Sequence, residues 1–152
     1  MDKKQIKFTI ESNLKNVFLI GLAVNKILSH IGLNELESYR LELCVVEAVN
    51  NAIIHAYDKE AGNKVEVVFN IYPDRLVLDV YDTGKPMQGN LLEQKDISSL
   101  EFEPDDPDSI PEGGRGLAII KEIMDSMNYK TKDGKNCLTM TKKIVSSKMT
   151  TG

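Results

Sequence analysis

The sequence predicts an α+β sandwich in which a mixed or antiparallel sheet is covered by helices. Three observations carry this. Two stretches of helical period come early, two alternating stretches joined by a short link follow, and a third helical stretch precedes another alternating pair. At 152 residues the chain can bury a real core within one compact domain. With no internal repeat in view, a single domain is expected over residues 1–145, followed by a flexible tail at 146–152.

Gln5 to Ile10 alternates weakly and reads as a short strand, after which Ser12 or Asn13 can cap a helix. Leu14, Val17, Phe18, Leu22, Val24, Ile27, Leu28 and Ile31 keep helical spacing, so a long amphipathic helix runs to about His30. Gly32 is its stop, and Asn34 begins a second helix that runs to about Ala56. Lys64 to Tyr72 and Arg75 to Tyr81 alternate across a short Pro73-Asp74 link, which predicts an antiparallel hairpin. Residues 87–112 hold three of the five prolines and no sustained period, so a long loop is expected there. Gly116 to Met127 reads as a third helix, and Met127 to Thr131 and Cys137 to Val145 as two strands around Asp133-Gly134.

Composition sets the outer bounds. The chain is 41% hydrophobic and 28% charged, as an ordinary globular protein is. A net charge of -4 argues against direct nucleic-acid binding, which needs a basic face. Charge is uneven: between Met87 and Glu112 eight acids face Lys95 alone. Cys44 and Cys137 sit in apolar runs and are expected to pack as free thiols. The N-terminus lacks a signal peptide's apolar run, and no stretch is long enough to span a bilayer, so cytoplasmic location without membrane contact is the expectation.

Chemistry concentrates in three places. Glu47, Asn51 and His55 are four apart within an otherwise apolar helix, so they stack on one side. A carboxylate in such a setting needs a partner. Asn51 offers an amide oxygen suited to Mg²⁺, and Glu47 can take a proton from a hydroxyl or water. The same line can equally be a solvent-facing or internally bonded stripe, and His55 alone reads best as a partly buried, hydrogen-bonded histidine. The second place is Asp82-Thr83-Gly84 at a strand end, with Lys85, Pro86 and Met87 following. It is a plain turn signature, or a site where Asp82 accepts from an adenine amino group and Gly84 admits backbone close to the base. The third is Gly113-Gly114-Arg115-Gly116-Leu117, three glycines ahead of a helix. It fits a hinge, or a phosphate cradle of backbone N–H groups with Arg115 adding charge.

In this order and spacing, the three segments resemble the ATP-binding boxes of the GHKL superfamily of gyrases, heat-shock chaperones, histidine kinases and mismatch-repair proteins. The likeness covers about Lys7 to Ile144 and is nearest to the bacterial anti-sigma-factor serine/threonine kinases, through Glu47 to Tyr57, Asp82 to Pro86 and Gly113 to Ile120. It implies a two-layer fold with a mostly antiparallel sheet and helices on one face. It further implies Glu47 as catalytic base, Asn51 as the magnesium ligand, Asp82 as the adenine reader, Gly113, Gly114 and Gly116 as phosphate-binding glycines, and residues 87–112 as an ATP lid. Arg115, Leu117, Gly84 and Met87 complete the expected nucleotide contacts. The implied cofactors are ATP and Mg²⁺. The implied partners are a sigma factor and an anti-anti-sigma antagonist phosphorylated on serine or threonine, often with a second copy of the kinase. Two departures stand out. Lys135-Asn136-Cys137 occupies the place of a Gly-Thr pair, and Ile20-Gly21-Leu22-Ala23 lacks an arginine that some sigma-binding relatives carry.

Overall fold

A computed structural model gives the fold and describes residues 3–87 and 114–144. Of the loop expected at 87–112 only Met87 is among the described residues; the rest of it, Gly113 and the tail lie outside them. Strand β1 (Lys4–Glu11) leads into a short 3-10 turn, Leu14–Asn16, and then α1 (Val17–His30) and α2 (Glu35–Asn51). The hairpin β2 (Lys64–Ile71) and β3 (Arg75–Asp82) follows, then α3 (Gly114–Ile123) and the hairpin β4 (Ser126–Lys132) and β5 (Lys135–Lys143). The five strands lie in the order β1-β2-β3-β5-β4. Every pairing is antiparallel, so of the two sheets expected from the sequence the mixed one is excluded among the described residues.

Local chemistry explains the boundaries. The Asn34 side chain accepts from the Glu37 N–H at 2.8 Å and caps α2. Gly32 has φ 101° and lets α1 end in a paired closure, in which Leu33 N–H reaches Leu28 O and Gly32 N–H reaches Ser29 O. Asp133 and Gly134 both take positive φ, the geometry of a two-residue turn whose twist suits the β4–β5 hairpin.

The third helix stops earlier than its apolar spacing predicts. Met124 N–H closes the last turn on Ile120 O, and Asp125 N–H then bonds Thr141 O and draws the chain into the sheet. Met127 therefore serves as a strand residue, paired with Met140. The second helix also departs from expectation: beyond Asn51 it widens into a π turn over Ala52–Ala56.

The core lies between the sheet and the helices. Val65, Val67, Phe69 and Ile71 of β2, Leu76, Leu78 and Val80 of β3, and Leu138 and Met140 of β5 meet Leu41, Val45, Ala48, Val49 and Ala52 of α2 and its extension. On the far face of the sheet a polar chain runs across the strands. Gln5 donates to Asn70, Asn70 to Asp79, and the Thr139 hydroxyl to Asp79. Cys137 is a free thiol as expected, half-buried on that face beside Asp79 and Thr139. Cys44 is fully buried, and burial pushes its thiol up to about 12.

Phe69 is completely buried at the centre of this core. Phe69→Ala should lower stability by about 3–5 kcal/mol. Urea unfolding monitored by far-UV circular dichroism will measure it. A loss below 1 kcal/mol would mean that the core does not close over this strand.

Candidate functional site

The site lies where the C-terminal end of α2 meets the end of β3. Leu76, Leu78, Val80 and Asp82 share one face of β3, so Asp82 points to the helix side at the edge of the core. The π turn of α2 directs the Ala56 carbonyl toward the segment after β3, where Lys85 N–H donates to it at 2.9 Å. A Cβ on Gly84 would collide with that same carbonyl. Close packing on Ala56 thus gives Gly84 a structural role, distinct from the base contact expected of it. Tyr57 locks the junction: its hydroxyl accepts from Thr83 N–H at 2.8 Å and donates to Lys64 O at 2.7 Å.

A cavity of about 310 Å³ opens beside this junction. Its apolar wall comes from Ala48, Ala52, Val80, Leu117 and Leu138, and Asp82 and Asn51 are its polar lining toward β3 and α2. Met87 also lines it, with Met87 N–H donating to the Tyr129 hydroxyl at 2.7 Å. An apolar wall facing one carboxylate suits a heteroaromatic ring bearing an amino group. His55 does not continue the Glu47–Asn51 line as a buried histidine. It is exposed at the cavity rim, where it lines the same cavity as Asn51.

Glu47 and Asn51 converge on the first turn of α3. A Cβ placed on Gly116 would sit 2.9 Å from Glu47 Oε2 and 3.3 Å from Asn51 Nδ2. Any larger residue there would push the two side chains aside. Asn51 Nδ2 is buried without a hydrogen-bond partner among the described residues. An orphaned buried amide is costly, by about 1–3 kcal/mol, and such a group is well placed to meet a ligand. The Asn51 amide oxygen is a hard donor of the type Mg²⁺ takes, and Glu47 lies beside it. Among the described residues no group of three His, Cys, Asp or Glu side chains forms a metal cage, so an ion here would complete its shell with phosphate and water oxygens.

Residues 10–142 match the family model of the histidine kinase-like ATPase domain. The chain belongs to this family. A serine-protein kinase RsbW of Bacillus cereus (strain ZK / E33L) is 29% identical over 145 residues, 93% of this chain and 86% of the relative. In the solved structure of the RsbU and RsbW domains of Rv1364c from Mycobacterium tuberculosis, a TM-score of 0.62 accompanies 14% identity over 94% of this chain and 34% of that one. The catalytic domain of histidine kinase ThkA gives a TM-score of 0.52 at 15% identity, over 94% of this chain and 96% of that one. At those identities the two structures support the fold alone.

Within this histidine kinase-like ATPase domain, Asn51, Asp82, Met87 and Leu117 line one cavity, and Glu47 and Gly116 meet next to Asn51. Gly114 opens α3, Arg115 is exposed on its first turn, and Gly113 falls outside the described residues. Two residues of the site carry no motif. Tyr129 on β4 reaches the cavity and holds Met87, and Asn136 on β5 bonds Asp82. Asn136 faces Asp82 in the strand register, so the parity of β5 would have found it once the strand was started at Lys135.

Burial raises the Glu47 carboxyl above its ordinary value, and the Arg115 guanidinium partly offsets this. Burial also raises Asp82, against the hydrogen bonds from Asn136 and from Gly84 N–H. A carboxyl whose pKa rises on folding stabilises the fold below its unfolded pKa and loses that contribution as pH climbs through the folded value. Glu47→Gln should therefore be more stable than the parent at pH 7, with the gap shrinking toward pH 4. Thermal melts of both proteins at the two pH values will check the sign. A variant less stable at pH 7, or a gap that ignores pH, would refute the assignment.

Proposed function

We propose that this chain is an ATP-dependent protein serine/threonine kinase of the anti-sigma-factor type. The observation that carries the proposal is the convergence of Glu47 and Asn51 on Gly116, beside a cavity that presents Asp82. A site that only bound nucleotide would have no use for a half-buried carboxylate next to its magnesium position. The serine-protein kinase relative supports the same reading over most of the chain.

In this reading Asp82 accepts from the adenine amino group while Ala48, Ala52, Val80 and Leu138 enclose the ring. Gly113, Gly114 and Gly116 expose backbone N–H groups to the phosphates, and Arg115 adds a cation there. Asn51 would hold Mg²⁺ together with phosphate oxygens, and the ion would supply charge neutralisation. Glu47 orients a serine or threonine hydroxyl and takes its proton as the hydroxyl oxygen bonds to the γ-phosphorus. The bond from that phosphorus to the bridging oxygen breaks, and ADP leaves with the electron pair. A raised Glu47 pKa makes it a better base than an exposed glutamate.

The resemblance supplies the partners: a sigma factor held in the cytoplasm and an anti-anti-sigma antagonist that loses its grip once phosphorylated. No described helix is long and apolar enough to cross a membrane. Residues 1–145 would act as the single domain, with 87–112 as the ATP lid.

Labelled ATP and Mg²⁺ incubated with lysate of the source cells will test the reaction. The parent should label one small protein on serine or threonine, and Glu47→Ala should reduce that label by about 10²–10⁴-fold. ATP at about 100 times its Kd should still stabilise Glu47→Ala by roughly 2.7 kcal/mol. Retained ATP binding without any Glu47-dependent label would instead support a non-catalytic, ATP-gated binding module.

A further inference from the structure

The chain departs from its resemblance at Asn136, and the structure shows what this residue does. Asn136 is 1% exposed and faces Asp82 across the β3–β5 ladder. Its Nδ2 donates to Asp82 Oδ1 at 2.7 Å and to the Gly84 carbonyl at 3.0 Å. Its Oδ1 accepts from the Thr131 hydroxyl at 2.7 Å. Both amide hydrogens are therefore committed, and the carbonyl is occupied. Asn136 has no side-chain N–H left to donate to a ligand.

Asp82 Oδ1 is equally occupied. It accepts from Asn136 and, at 3.0 Å, from Gly84 N–H. Among the described residues no hydrogen bond falls on Oδ2, although Asp82 lines the cavity. Gly84 is tied into the same unit from the other side, since its backbone packs against the Ala56 carbonyl. The carboxylate is thus fixed in rotation, with one oxygen spent on protein and the other left for the cavity.

We propose that Asn136 is a positioning residue for base selection: by holding Asp82 Oδ1 and the Gly84 carbonyl, it leaves Asp82 Oδ2 as the acceptor that selects a purine with an amino group at C6. This rests on the reading of the cavity as a nucleotide site. A purine with a carbonyl at C6 would set its oxygen against Oδ2, acceptor against acceptor, and bind weakly. Freed from Asn136, Asp82 can turn, and the distinction between the two purines fades. Thr131 supports the arrangement from the exposed strand β4 by holding the Asn136 carbonyl.

The test is binding of ATP and of ITP, which has a carbonyl in place of the C6 amino group, each with Mg²⁺, by isothermal titration calorimetry. The parent should prefer ATP. Asn136→Ala should weaken ATP by about 10-fold and collapse the ATP:ITP ratio toward one, because one oriented acceptor is lost. A merely structural role would weaken both nucleotides alike and leave the ratio unchanged, which would overturn the proposal. If Asn136→Ala fails to fold, Thr131→Val decides: it keeps the side-chain shape, removes the hydroxyl and should lower the ratio in the same direction by a smaller factor. An unchanged ratio there would overturn it too. If the parent binds neither nucleotide, the nucleotide site itself fails and the role of Asn136 falls with it. A parent that prefers ATP beside variants with the parental ratio would overturn the role of Asn136 alone.

Discussion

Everything in this molecule depends on α2 serving two environments at once. One side of the helix places Leu41, Val45, Ala48 and Val49 against the sheet with no solvent left around them. Another side carries Glu47 and Asn51, which need polar company. A buried carboxylate without compensation costs several kcal/mol, so the helix cannot simply sink into the core. The fold answers with α3, whose first turn brings Gly116 against both side chains and Arg115 within electrostatic reach of Glu47. The position of α3 is therefore bound up with the charge on α2 as well as with its own apolar contacts, Leu117 and Ile120.

The second constraint is the join between α2 and the end of β3. A regular α-helix through Ala56 would give its carbonyl a different direction. The π turn aims it at Lys85 N–H, and Gly84 is small enough to let the two backbones meet. Widened helical turns recur at functional sites for this reason: they re-aim a backbone group without ending the helix. Asp82 and Asn51 thereby become two walls of one cavity, although they come from a strand and a helix far apart in sequence.

Much of this was legible beforehand, and the failures have physical causes. The alternation in β2 and β3 read clearly because every second residue is a large apolar one facing the helices. Asp82 stood out as an acid at a strand end with Gly84 two residues on, and the structure adds that it continues the inward parity of β3. The π turn could not be seen, since Ala52-Ile53-Ile54-His55-Ala56 is as compatible with an α-helix. His55 was expected to be partly buried and is exposed, because its position at the mouth of the cavity depends on how the end of α2 meets β3. The overrun of α3 arose because Met127 fits both the helical spacing of Ile120, Ile123 and Met124 and the strand pairing it takes opposite Met140. Tyr129 gave no local signal, because its role comes from the sheet order that brings β4 over the cavity. Asn136 was noticed as a departure, but its part in the site emerged only from its register opposite Asp82.

The antiparallel ladder leaves β1 and β4 as its two borders. Border strands expose unpaired backbone groups to any passing chain, and proteins that stay dispersed must discourage that contact. Here Lys4 and Lys7 lie along one border and Lys130 and Lys132 along the other, all exposed. A strand from another copy laid antiparallel on its equivalent border would bring ammonium groups together as their water is stripped away. Lysines on both borders are the charge pattern that discourages such edge-to-edge pairing, although Lys7 also pairs with Glu66 at 3.8 Å.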